Sequence, residues 1–330
     1  AQVAHKAPIR PSYNEYVPVI AANNLAGRLP RHGAAEVLDV LRQNGQKVTI
    51  QTYSALACGA VNGNPDAKDP LFAEIMEARA HPYIGLFGGG PRMMRRYLRV
   101  HNAVPYTEVT KFMFDRLRHP KLDDETHMTK ATWLTQNWLL NRNDDLIDLV
   151  NLAQQQASIE NYVEAIQQRQ SAVVDGKAKA EQEKTTAGGA KRESTRSFTA
   201  IEFVVPGVIF PIRMELDVTQ AQLGLFLKTL GRFVETERIG GFVRNGFGLF
   251  SLDDVHLVDV SETDESKRLH KVMDNNKLIT TSDFMKQVLG EWETAAKELN
   301  ADDLNRLFKP SPEAPKKKAD KSAQDAERVQ

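Results

Sequence analysis

The sequence predicts an α+β fold, and three observations support that prediction. An apolar run at residues 16–22 is followed by an amphipathic helix at 34–42. Two alternating segments on either side of a Pro-Gly pair, within 198–216, predict a β hairpin. A second amphipathic helix follows at 220–237, and a last strand is expected at 247–252. This order is typical of a split βαβ, or ferredoxin-like, plan with a long insertion after its first helix.

The helix at 220–237 has the clearest pattern in the chain. Asp217 or Thr219 can cap its first turn. Its apolar side chains recur at the spacing of one helical face and predict a buried stripe of Leu223, Phe226, Leu227, Leu230, Phe233 and Val234. In the first half, Gly45 is expected to end the helix at 34–42, and alternation at 47–52 predicts a further strand.

The insertion between the two halves of this plan spans about residues 45–197. Within it, the apolar pattern of 128–157 predicts helix. Residues 167–197 are polar and lack an apolar period, which predicts a mobile arm or hairpin. Residues 282–307 are expected to be helical, whereas the tail at 309–330 lacks core-forming residues and is expected to be disordered.

Composition excludes little. The 330 residues contain 43 basic and 43 acidic side chains, so net charge does not favour a nucleic-acid binder and any anion site must come from local segregation of charge. The single cysteine, Cys58, excludes an internal disulfide. No apolar run reaches the roughly 20 residues of a membrane span. We therefore expect a soluble, cytoplasmic protein without membrane contacts.

A glycine-rich segment followed by arginines forms the first candidate site. Gly88, Gly89 and Gly90 lead into Pro91, a favoured first residue of a helix. A helix here would align four guanidinium groups along one face, those of Arg92, Arg95, Arg96 and Arg99. No acid occurs between Glu77 and Glu108, so we expect a track for phosphates. The alternative is a solvated face that pairs with acids elsewhere in the fold.

Two further segments could contact anions. Arg28, Arg31 and His32 lie in a predicted loop at 23–33, where an ordinary exposed loop is the alternative. Residues 238–248 contain four glycines together with the donors Arg238, Arg244 and Asn245. This segment follows a helix and precedes a strand, the reverse of a Rossmann fingerprint, and no Gly-Lys-Ser/Thr follows as in a P-loop. A purely structural glycine turn is the alternative reading.

Catalytic and metal sites are not favoured by the remaining patterns. Acids near residue 125 and two nearby histidines imitate a metal site, but such surface clusters are usually solvated; the residues are Asp123, Asp124, Glu125, His119 and His127. Cys58 has no local histidine partner. His32 and His101 could form an acid–base pair for RNA cleavage only if the fold brings them together. We expect no cofactor and no metal.

The segment at 238–248 resembles the glycine-rich signature of the CRISPR RAMP superfamily, whose members have RRM-like folds. The likeness extends to the basic residues before the predicted hairpin, Lys191, Arg192 and Arg196, and to the following helix. Leu86-Phe87-Gly88 resembles an element of the superfamily's backbone subunits. The triple glycine with its arginines is most similar to the type IV backbone subunit of the Cas-seven group.

This resemblance implies a subunit of an antiviral effector ribonucleoprotein. Such subunits bind CRISPR guide RNA (crRNA), stack on further copies of themselves, join other effector subunits and present the guide for pairing with a target nucleic acid. The implied organisation is an RRM-like palm (1–54 and 198–260), a helical finger insertion (55–166), a thumb (167–197) and a C-terminal helical region (261–308) before the tail.

The resemblance also implies where RNA binds and whether the chain cleaves it. RNA contacts are expected at Arg28, Arg31, His32, Gly88, Gly89, Gly90, Arg92, Arg95, Arg96, Arg99, Lys191, Arg192, Arg196, Arg238, Arg244 and Asn245. Type III backbone subunits carry a cleaving aspartate before their first helix, but residues 23–33 contain no acid, so we expect no enzyme activity. The alternatives are a guide-RNA-processing endonuclease of the same superfamily and a protein scaffold that binds no RNA.

Overall fold

The chain contains both helices and small sheets, as the α+β class predicts. The structure is a computed structural model that describes residues 6–10, 15–58, 72–89, 95–114, 119, 122, 125–142, 161, 164, 167 and 197–308. These residues belong to two compact units. The larger takes its members from Ala1–Thr135 and Val204–Gln330, and the smaller from Gln136–Phe203.

Nine strands form four small sheets within the described residues. They are β1 (Lys6–Arg10), β2 (Glu15–Pro18), β3 (Arg99–Val100), β4 (Thr135–Arg142), β5 (Ser197–Val204), β6 (Met214–Glu215), β7 (Val255–Val258), β8 (Leu269–Asp274) and β9 (Lys277–Leu278). β1 pairs with β2, β3 with β6, β4 with β5, and β8 lies between β7 and β9. Ile20 forms an isolated antiparallel bridge with Ala103, which joins the segment after β2 to the segment after β3.

The α-helices that lie fully within the described residues belong to the larger unit. They are α1 (Ala22–Gln43), α2 (Ile50–Cys58), α3 (Phe72–Ala80), α4 (Pro82–Phe87), α5 (Gln220–Thr236), α6 (Asp283–Lys297) and α7 (Ala301–Leu307). α5 packs against both α1 and α6, and the core between them contains Leu25, Leu29, Phe233 and Trp292, all almost completely buried. None of the described helices has the length and apolar character that a bilayer crossing requires.

The strongest helix prediction is confirmed. α5 begins after Thr219, whose side chain accepts a hydrogen bond from Gln222 N, while the Gln222 side chain bonds back to Thr219 N. This capping box satisfies two amides of the first turn. The predicted stripe is buried at five of its six positions and partly buried at Leu223. Gly45 ends α1 as predicted, with a positive φ of 70°, and the helical prediction at 282–307 corresponds to α6 and α7.

Three predicted elements near the start and middle of the chain are wrong. The expected loop at 23–33 is the first half of α1, with Pro30 inside the helix. The expected strand at 47–52 overlaps α2. The helix predicted for 128–157 is instead a short 3-10 turn at Ala131–Trp133 followed by β4, as far as the structure describes that stretch.

The predicted hairpin around Pro206-Gly207 has the turn but not the pairing. Gly207 has φ 89°, as a turn glycine should. β5 pairs with β4, however, and the second arm lies along residues 99–106, where Tyr106 N donates to Ile209 O at 2.8 Å and His101 N to Arg213 O at 3.1 Å. The strand expected at 247–252 is irregular. Period-2 alternation thus identified extended segments but not their partners.

The smaller unit contains most of the ribbon of β4 and β5, where Trp138 packs against Phe203 with ring centroids 6.2 Å apart. Next to the ribbon, in the larger unit, Val205 N donates to Leu134 O at 3.0 Å, which places the start of β4 beside the end of β5. The end of β4 at Arg142 and the start of β5 at Ser197 therefore lie together at the far end of the ribbon. The predicted thumb at 167–197 lies outside the described residues except for its two end positions, as does the predicted disordered tail at 309–330.

The cap of α4 makes stability dependent on pH. His81 Nδ1 accepts from Tyr83 N at 3.2 Å and Ile84 N at 3.4 Å, so the capping ring is neutral. Its buried Nε2 has no hydrogen-bond partner among the described residues. Burial lowers the pKa of His81 to about 4, although Asp303 and Glu77 act in the opposite direction.

We expect the free energy of unfolding to fall as the pH drops from about 6.5 to about 4. In this range His81 is protonated in the unfolded chain but stays neutral in the folded protein. This loss should be about 3 kcal/mol and reach its limit below the folded pKa. Urea denaturation across this pH range measures it. His81→Asn keeps a capping acceptor but does not titrate, so an equal loss in this variant would contradict the assignment.

Candidate nucleic-acid interface

Two of the three predicted RNA-binding segments meet at a partly buried carboxylate. Arg28 and His32 lie one turn apart on α1, and both contact Glu237, the residue that follows α5. His32 Nε2 lies 3.1 Å from Glu237 Oε2, and its ring packs edge-on against Phe233. Arg28 also donates to Arg238 O at 2.8 Å. α1 and the start of the glycine-rich loop are therefore tied together by one acid.

Glu237 stays ionised at this junction. Burial alone would raise its pKa, but hydrogen bonds from His32, from the Arg238 backbone and from Arg28 outweigh burial and hold the pKa of Glu237 below its usual value. The carboxylate fixes the Arg28 guanidinium but balances only one of the arginine charges nearby, because Arg238 uses its side chain to donate to Glu237 O at 3.2 Å. Positive charge therefore remains in excess.

The third segment, through Arg96, contacts α1 near Pro30. Proline has no amide hydrogen, so the carbonyl four residues earlier, Ala26 O, loses its helical partner. Arg96 Nη1 donates to that carbonyl at 3.3 Å. We define the arginine cluster as Arg28, His32, Arg96, Glu237 and Arg238. It combines residues from all three segments that the sequence singled out.

The arginine helix predicted at 91–99 is not formed in its described part. Residues 95–98 are irregular, and Arg99 begins β3. Arg95 is exposed, as is Arg31 on α1, and neither has an ion-pair partner among the described residues. Two of the glycines before the arginines adopt positive φ angles, which glycine tolerates best. Gly88 ends α4 with φ 67°, and Gly89 has φ 97°.

A second group of basic side chains surrounds Glu215 on β6. Arg213 contacts it at 2.9 Å, His101 at 3.1 Å and Arg99 at 3.8 Å. The hydrogen bond from His101 is the largest cause that lowers the pKa of Glu215. We call these four residues the β3–β6 cluster. Residues 95–101 thus contact α1 through Arg96 and β6 through Arg99, which joins the two clusters by a short piece of chain.

Sequence reasoning missed Arg213. The signal was present, because the alternation at 208–216 places Ile212 and Met214 on one face and Arg213 with Glu215 on the other. The prediction used only the apolar face of this segment and did not consider its polar face.

The glycine-rich segment forms a closed loop. Ile239 N donates to Gly248 O at 2.9 Å, so the two ends of the loop meet. A Cβ on Gly248, whose φ is 88°, would lie 2.4 Å from Ile239 O. Asn245 is exposed at the end of a 3-10 turn that also contains Arg244. Gly248 therefore has a structural role, and the loop also holds Arg238 in the arginine cluster.

Some predicted site residues lie outside the described part of the chain. They are Gly90, Arg92, Lys191, Arg192 and Arg196. No protein-family model matches the chain, and no curated protein matches it.

The alternative catalytic groups are dispersed. His32 contacts Glu237 and His101 contacts Glu215, and no described contact joins the two rings. Cys58 is an exposed thiol at the end of α2. Within the acid-rich segment, Glu125 pairs with Lys111 at 2.8 Å, while Asp123 and Asp124 lie outside the described residues. What the described residues assemble is a set of guanidinium donors suited to phosphate oxygens.

Proposed function

We propose that this chain is a guide-RNA-binding, self-stacking backbone subunit of a CRISPR–Cas effector complex, most similar to the type IV subunit of the RAMP superfamily. The observation that supports this most directly is the convergence of three segments on the arginine cluster. These segments were singled out from sequence because they lack acids or are rich in glycine, and they lie far apart in the chain. Their arginines exceed the local carboxylates, as a phosphate-binding surface requires.

In this proposal, binding is electrostatic and independent of sequence. Exposed guanidinium groups at Arg31, Arg95 and Arg99 contact successive phosphates, and the bound guide pairs with its target. The proposed partners are further copies of the chain, other effector subunits and the target nucleic acid, in the cytoplasm. The proposed palm is RRM-like, and the proposed thumb lies in the chain between β4 and β5. No cleavage is proposed, because residues 23–33 contain no acid.

The test is co-expression of the full chain with a repeat–spacer array, followed by purification and ribonuclease digestion. We expect protected RNA whose length rises in equal steps as copies are added, because each stacked subunit covers a fixed stretch. Site-specific cleavage of repeat RNA would instead favour the processing endonuclease. Absence of bound RNA at low salt would favour the protein scaffold.

A further inference from the structure

Two histidines and an aspartate meet at β7. None of the three belongs to the arginine cluster or to the β3–β6 cluster. His256 lies on β7, Asp254 directly precedes that strand, and His119 comes from a segment more than 130 residues earlier. One possible ligand atom from each of the three side chains lies within 4.8 Å of the other two. All three residues belong to the larger unit.

The distances between donor atoms match those around a small metal ion. His119 Nε2 and His256 Nδ1 are 3.2 Å apart, and His119 Nε2 lies 3.6 Å from Asp254 Oδ2. Ligand atoms in a tetrahedral zinc site with bonds of about 2.0 Å are separated by about 3.3 Å. Two imidazole nitrogens and one carboxylate oxygen form a donor set that zinc commonly takes, with a fourth position left for water.

The charges around this cluster also favour a cation. Asp254 is 8% exposed, and a carboxylate so buried requires positive charge nearby. Lys271, opposite His256 on β8, supplies one ammonium group at 2.9 Å from Asp254 Oδ1. The same ammonium lies 3.2 Å from Asp274 Oδ1. Asp254 Oδ2 lies 3.6 Å from His119 Nε2, so the Asp254 carboxylate presents one oxygen to Lys271 and the other to His119.

We propose that His119, Asp254 and His256 bind a divalent transition-metal ion of the zinc class. The ion would link the segment at residue 119 to the β7–β8 hairpin through its ligands. This proposed site does not depend on RNA binding. In it, His119 shares the metal ion with Asp254 and His256 and not with the acid-rich segment near residue 125.

The experiment uses the full chain, stripped of metal and titrated with Zn²⁺ alone in competition with a chromophoric chelator. We expect one equivalent to bind, and the melting temperature to rise with Zn²⁺ concentration. His119→Gln and His256→Gln should each weaken Zn²⁺ binding by about tenfold or more. His270→Gln changes a histidine on β8 that stacks on Phe284 instead, and it should bind Zn²⁺ as the unchanged chain does.

Two further variants keep the proposal falsifiable if a histidine variant fails to fold. Asp254 has φ 55°, a conformation that asparagine adopts readily, so Asp254→Asn should fold and still lose affinity. Lys271→Gln removes the ammonium that competes with the ion and should tighten binding several-fold. Equal Zn²⁺ affinity in the unchanged chain, Asp254→Asn and Lys271→Gln, or no uptake by the unchanged chain, would overturn the proposal.

Discussion

Replacing Arg31, Arg95 and Arg99 together by glutamate is expected to lower the affinity for single-stranded RNA by about 100-fold or more at about 0.1 M salt. Arg31 and Arg95 are exposed without described ion-pair partners, and Arg99 is 65% exposed with its partner at 3.8 Å. The change therefore leaves the bonds of Arg28 and Arg238 to Glu237 intact. Fluorescence anisotropy with a labelled repeat RNA measures the loss.

Salt dependence distinguishes direct phosphate contacts from a general change in charge. Alanine at the same three positions should make the slope of log affinity against log salt shallower by about 2, since each lost contact removes about 0.7 on a single strand.

Lys267, Lys286 and Lys297 form a matched control for the glutamate variant, because changing all three to glutamate shifts the net charge by the same amount at exposed sites elsewhere. If this control lost as much affinity, specific contacts would be excluded. Unchanged binding in the arginine variant would mean that these three arginines do not contact the RNA.

The sequence predicted those elements whose signals are local. The stripe and cap of α5 lie within about 20 residues, and a helix that buries one face needs little else to be recognised. The same holds for α6, where Ser282 accepts from Met285 N at 3.3 Å. Two segments that contribute to the arginine cluster, 23–33 and 88–99, are visible before folding as long stretches without acids, and 238–248 is visible by its glycines.

The errors arose where contacts distant in sequence decide the structure. A loop was expected at 23–33, yet α1 continues through Pro30, and the carbonyl that proline leaves unbonded is satisfied by Arg96. The spacing of the arginines predicted a helix, but Arg99 pairs in β3 with a strand more than 100 residues later. No local pattern specifies such partners. The histidine–aspartate cluster was missed for the same reason, since only the fold brings residue 119 to β7.

A second large effect is expected in the packing of α5 against α6. Gly224 lies where the two helices are in close contact, and a Cβ there would be 2.5 Å from Val288 O and 2.6 Å from Trp292 Cβ. Neither atom is the free end of a flexible side chain, and Trp292 is 1% exposed. We expect Gly224→Ala to lower the free energy of unfolding by about 3 kcal/mol, because the helices must separate or shift.

Gly290 on α6 provides the matched control, because a Cβ at this helical position meets nothing within 4 Å. Alanine has a higher helix propensity than glycine, so Gly290→Ala should raise the free energy of unfolding by about 1 kcal/mol. The same substitution on two packed helices thus has opposite signs, and propensity alone would predict a gain for both. Urea denaturation of the two variants decides between these expectations. A gain in stability for Gly224→Ala would mean that α5 and α6 are not in close contact at this point, and that propensity outweighs packing there.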